Sequence, residues 1–140
     1  MTTQIPRERP TSVAIINTTP DAVAMLRQVL ERAGFFVASC FTFDIREGRV
    51  DGEAFLRQHR PRVVLYDLAP PYQTNFQLFQ EIRQMPAMLD VQIVLTSMNP
   101  AHVIPLVGRD ASVYEVVDRE DDLLAIVQAV KEASRARLVR

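Results

Sequence analysis

Val63-Val64-Leu65-Tyr66-Asp67, followed at once by Leu68-Ala69-Pro70-Pro71, is the stretch on which the fold turns. Its apolar continuity reads as a β-strand covered on both faces, the habit of parallel sheets flanked by helices. The run ends in an acid. A carboxylate at the carboxyl end of a buried strand is badly placed for stability and well placed for chemistry, because open α/β sheets bind ligands in the crevice beyond those ends.

Working upstream, Ser12–Asn17 is another apolar run of strand length. Thr19-Pro20-Asp21 reads as a helix start, with a hydroxyl cap, a proline in the first turn and an acid that the helix dipole favours. Ala22, Leu26, Val29, Leu30 and Ala33 recur at helical spacing, and Gly34 terminates them. Phe35–Cys40 reads as a second strand. Phe41 to Gly52 carries charges and two glycines, reads as irregular, and leads into a short helix over Glu53–His59.

Downstream, Phe76, Phe79, Ile82 and Arg83 mark a helix that ends before Pro86. Val91–Thr96 is a fourth strand and Val113–Val117 a fifth. Between them Pro100–Val107 has room for a short helix, which Pro105 is expected to break or kink. From Asp121 the spacing of Leu123, Ile126, Val127 and Val130 predicts an amphipathic last helix that closes with Arg135 and Arg137. Five strands alternating with helices predict a parallel sheet with right-handed crossovers. Residues 1–10, polar and bounded by prolines, read as a flexible N-terminal tail, and residues 11–140 as one domain.

Composition narrows the function. A formal net charge of −1 gives no electrostatic footprint for nucleic acid or an anionic membrane. No apolar run approaches the roughly 20 residues of a membrane span. The N-terminus has charges and prolines where a signal peptide needs an apolar stretch, so a cytoplasmic location is expected. The single cysteine, Cys40, excludes an internal disulfide and reads as a buried apolar filler. His59 and His102 stand apart without ligand spacing. No glycine-rich cradle follows the first strand, which argues against a nucleotide or flavin there, and no nucleophile–base set indicates an enzyme.

Alternation puts Asn17, Asp67 and Thr96 at the carboxyl ends of strands one, three and four. With strand order 2-1-3-4-5 these ends lie side by side at the topological switch point. The strand-end Asp67 with Pro71 four residues on, Thr96 closing strand four and Thr19-Pro20-Asp21 opening helix one resemble the receiver domains of bacterial two-component response regulators. The likeness runs from Ser12 to about Ala133. It implies a flavodoxin-like, doubly wound five-stranded parallel sheet with helices on both faces.

The resemblance also implies roles. Asp67 would be the phosphoacceptor, two acids after strand one would hold Mg²⁺, Thr96 would bind the phosphoryl group, and a lysine after strand five would complete the site. Tyr114 sits near the aromatic position that many receivers use as a switch. Here the acid pair aligns with Asn17 and Thr18, both neutral. The lysine position falls on Val117 or Asp118, and the chain's only lysine, Lys131, lies deep in the last helix. Arg119 is the nearby residue able to reach in as a substitute cation, though a guanidinium is no ammonium.

The resemblance thus implies a degenerate, stand-alone receiver-like module without enzymatic activity, acting through a signalling partner: a kinase, a phosphotransfer protein or an output protein. No cofactor is expected, and weak Mg²⁺ binding at Asp67 is the most the site would support. The face formed by Pro100–Val107, strand five and the last helix is the expected contact surface. Leu124 and Val139 fall off the main apolar stripe and point to a partner or a homodimer. The alternative is a working phospho-accepting regulator that uses Asp67. Each residue also has a plainer reading: Asp67 as a strand-end acid solvated at the rim, Thr96 as a residue favoured by β-propensity, Tyr114 as ordinary strand packing, and Asp21 as a helix-start charge.

Overall fold

A computed structural model describes residues 10–110, 112–119 and 122–136. The expected tail over residues 1–10 lies, except for Pro10, outside the described residues, as do Arg137 and Val139. The strands are β1 Ser12–Asn17, β2 Phe36–Phe41, β3 Val63–Asp67, β4 Gln92–Ser97 and β5 Val113–Asp118. All pair in parallel in the order β2-β1-β3-β4-β5. The helices are α1 Pro20–Arg32, α2 Thr42–Arg46, α3 Gly52–His59, α4 Tyr72–Arg83, α5 Pro100–Val107 and α6 Leu123–Arg135.

The strand alternation sorts the core into two layers. Val13, Ile15, Val63, Leu65 and Val94 pack against the buried stripes of α1 and α6, including Leu26, Leu30, Ile126 and Val130. Ala14, Ile16, Val64, Tyr66 and Leu95 face the other way, onto Leu56 of α3, Phe79 and Ile82 of α4 and Val103 of α5. Every residue of β3 is buried, as its unbroken apolar run requires. The sheet is therefore covered on both sides, and the buried polar side chains of its strands, Asn17, Asp67, Gln92, Thr96 and Ser97, lie at strand ends.

Three local expectations need correction. The segment after β2 is not wholly irregular: Thr42–Arg46 forms one helical turn, which seats Ile45 against the core. Pro105 does not break α5, which continues to Val107 and closes with Gly108 N–H donating to the Ile104 carbonyl at 3.0 Å. The helix loses one bond, to the carbonyl of Ala101, an exposed residue. Thr19 occupies the N-cap position of α1, but its hydroxyl does not cap the helix. Asp122 and Asp51 do so at α6 and α3, accepting from the Leu124 and Ala54 N–H groups.

Gly34 ends α1 as expected, at φ +96°, where a side chain would be strained. At the sheet edge, the Arg27 guanidinium of α1 donates to the Val37 carbonyl and the Ser39 hydroxyl of β2, both at 2.6 Å.

Candidate functional site

Side chains alternate along a strand, so Asn17, Asp67 and Thr96 share the α1/α6 side of the sheet with Ile15, Leu65 and Val94. Register brings them abreast. Asp67 pairs with Thr96, Thr96 pairs with Val117, and Ile16 pairs with Tyr66, which sets Asn17 beside Asp67. These three residues are the last layer of the sheet at its carboxyl end. They are 3%, 2% and 2% exposed in that order. Three polar side chains this deeply buried need partners.

Asp67 is not solvated at the rim. Thr96 Oγ1 donates to Asp67 Oδ1 at 2.7 Å. The guanidinium of Arg119, one residue beyond β5, places Nη1 3.6 Å from Oδ2. Its Nη2 donates to Thr19 Oγ1 at 3.4 Å, which is where the hydroxyl missing from the α1 cap is engaged. The Arg119 backbone N–H donates to the Ser97 carbonyl at 2.8 Å and fixes the turn that aims the side chain inward. Leu68 N–H donates to the Thr96 carbonyl at 2.8 Å and extends the β3–β4 pairing past Asp67.

Oδ2 has no hydrogen-bond partner among the described residues, because 3.6 Å is an ion-pair distance and too long for a hydrogen bond. Burial therefore pushes the Asp67 carboxyl above the usual carboxylate range. The Thr96 hydrogen bond and the Arg119 charge pull it back only in part.

Asn17 is engaged by the backbone of the following turn. Its Oδ1 accepts from Thr18 N–H at 2.6 Å and Thr19 N–H at 3.2 Å, so its acceptor is occupied in holding the β1–α1 turn. The donor set for a divalent cation is thus one carboxylate already paired with a guanidinium, beside a committed amide and the half-buried Thr18. That set does not fit Mg²⁺, which needs carboxylate charge to offset its dehydration. Among the described residues no group of three or more His, Cys, Asp and Glu side chains is placed to hold a metal.

Of the two lysine positions, Val117 is buried in the α1/α6 core and Asp118 lies opposite Ser97 at the strand end. The cation that reaches Asp67 is Arg119. The remaining residues stand elsewhere. Tyr114 is partly exposed on β5, its hydroxyl 3.3 Å from Glu132 Oε2 on α6. Burial pushes the Cys40 thiol up to about 12, so it holds its proton. His59 stacks on Phe55 and His102 on Tyr72.

Asp21, in the first turn of α1, lines a cavity of about 390 Å³ between α1 and α6. Asn17, Thr19, Thr96 and Arg119 also line it. Nothing in the sequence marked this cavity, because its walls come from β1, β4 and the first turns of α1 and α6.

The sheet order and the helices on its two faces match solved structures over nearly their whole length. A response regulator from Thermotoga maritima superposes with a TM-score of 0.71 at 16% identity, over 91% of this chain and 100% of that one. The chain has the receiver fold. A sensor protein from Polaromonas sp. JS666 gives 0.69 at 20% identity, covering 91% and 97%. A chemotaxis response regulator of Vibrio cholerae gives 0.65 at 16% identity, covering 89% and 99%. No protein-family model matches the chain, and no curated protein sequence does. Among the described residues no helix is long and apolar enough to cross a membrane.

Proposed function

We propose that this chain is a receiver-like signalling module that acts by protein–protein contact and keeps Asp67 as an acceptor position without its metal site. The observation that carries this reading is the pairing of Asp67 with Arg119 in a site whose other strand-end neighbours, Asn17 and Thr18, are neutral. Phosphoryl transfer to a carboxylate brings two anionic groups together and depends on cations to neutralise them. Here a guanidinium held at 3.6 Å supplies one positive charge where the family pattern has a divalent ion and a lysine. The module would then signal by which surface it presents and to whom.

The surface best suited to that is the α5–β5–α6 face. Ile104, Tyr114 and Leu124 are exposed on it, and Met98 is exposed in the loop that leads into α5. Leu124 is 73% exposed, which is unusual for a leucine in the first turn of an amphipathic helix. The partner would be a kinase, a phosphotransfer protein, an output protein or a second copy of the chain.

A second reading has a specific observation behind it. Thr96 Oγ1 already contacts Asp67, and Arg119 is positioned to meet an added phosphoryl oxygen bidentately, so the module would be a working phospho-acceptor. Incubation with acetyl phosphate and Mg²⁺ separates the two. The interaction reading expects no acid-stable, base-labile adduct, whereas near-stoichiometric modification that Asp67→Asn abolishes would establish the second.

A further inference from the structure

We propose that the cavity between α1 and α6 is a binding site for a small organic acid: a carboxylate head on an aliphatic or aromatic body. The cavity, about 390 Å³, is of a size for such a molecule and is formed without rearrangement. Its walls are apolar, built by Leu26 of α1 and by Leu123 and Ile126 of α6. Its inner end is rich in donors. Arg119 lines it, and among the described residues its guanidinium contacts only Asp67 at 3.6 Å and Thr19 at 3.4 Å, fewer than its five N–H groups could serve.

Asp67 lies behind Thr96 and Arg119, which line the cavity, so an entering molecule touches the guanidinium before the carboxylate. The first turns of α1 and α6 border the same space, and each already carries an acid, Asp21 in α1 and the capping Asp122 in α6, so Arg119 is the positive group the proposal rests on. An apolar slot closed by a guanidinium favours a carboxylate over an amine, and an apolar body over a sugar or a free phosphate. Asp21 is exposed and contributes to the lining at the start of α1, which disfavours an orientation that leaves the acid group beside it.

The test uses the full chain, isotopically labelled, titrated with octanoate, octanamide and octylamine while backbone amide shifts are followed. Octanoate is expected to give saturable shifts centred on Leu26, Arg119 and Ile126, with the amide and the amine at least about tenfold weaker. Arg119→Gln should weaken octanoate by a similar factor. Ala22→Phe, which fills the slot from the α1 side, should abolish the shifts while the spectrum stays folded. Equal binding of amine and acid overturns the proposal. So does the absence of any saturable shift, as do shifts confined to exposed Leu124 and Met98 or unchanged in both variants.

Discussion

Arg119 Nη1 sits 3.6 Å from the buried Oδ2 of Asp67, near enough to offset its charge and too far to hydrogen-bond it. The acid is compensated, but incompletely. The state of this one carboxylate therefore depends on three elements that meet only in the folded chain: the end of β3, the end of β4 and the turn after β5.

That incompleteness has a sign. Because the folded-state affinity of Asp67 for a proton exceeds that of the unfolded chain, its protonation stabilises the fold. The stability is present at low pH and is lost as pH rises from the ordinary carboxylate range through the raised value. Asp67→Asn, which mimics the neutral acid and keeps an acceptor for Thr96, is expected to unfold at higher temperature than the parent at pH 7. A gain of about 1 kcal/mol would raise Tm by about 4 °C for a domain of this size. Thermal unfolding across pH should show the gap closing toward about pH 4. A less stable variant at neutral pH would contradict the assignment.

Removing the counter-charge should do the opposite. Arg119→Ala leaves Asp67 buried with only the Thr96 hydrogen bond, and is expected to cost about 1 kcal/mol, discounted because the guanidinium is partly exposed. The loss should be larger at pH 8 than at pH 5, read from urea midpoints. Thr96→Val removes the donor to Oδ1 and should cost about 1–3 kcal/mol with the same pH trend. A double-mutant cycle between the two would show whether they act on Asp67 together.

Returning an acid to the strand-one position should create the missing cation affinity. In Asn17→Asp the new carboxylate can still accept from Thr18 and Thr19 N–H while adding a second negative charge beside Asp67. The variant is expected to be less stable than the parent without metal and to gain several degrees of Tm in millimolar Mg²⁺, with no comparable gain in the parent. An equal response to Mg²⁺ in both would show that the parent site already holds the ion.

The exposed Leu124 carries a prediction about assembly. If the α5–β5–α6 face joins two copies, Leu124→Ala should shift the sedimentation of concentrated protein toward the monomer without lowering Tm, since the side chain packs on nothing buried. Unchanged sedimentation would leave the face to a different partner.

Much of this arrangement was legible from alternation alone. The period-2 pattern of β1, β3 and β4 fixes the shared face of Asn17, Asp67 and Thr96 once the strand order is known, and the apolar continuity of β3 requires cover on both sides. What escaped the sequence was set by contacts between distant segments. The setting of Asp67 follows from Arg119, 52 positions along the chain (119 − 67), and from Thr96, 29 positions along it. The hydroxyl of Thr19 looked like a cap because of its neighbours, and was drawn instead to Arg119. The α2 turn is five residues long, too short for any helical period to register, and is held by Ile45 against the core rather than by propensity.

The grip of Arg27 on β2 limits how this molecule can multiply contacts. A sheet grows by offering unpaired carbonyls and amides to a new strand, and β2 is an outer strand whose Val37 carbonyl is already taken by a side chain from α1. A newcomer on that side would have to displace a guanidinium to reach the Val37 carbonyl. That guanidinium puts a positive charge along the edge, the kind of feature that discourages strand-to-strand growth from β2.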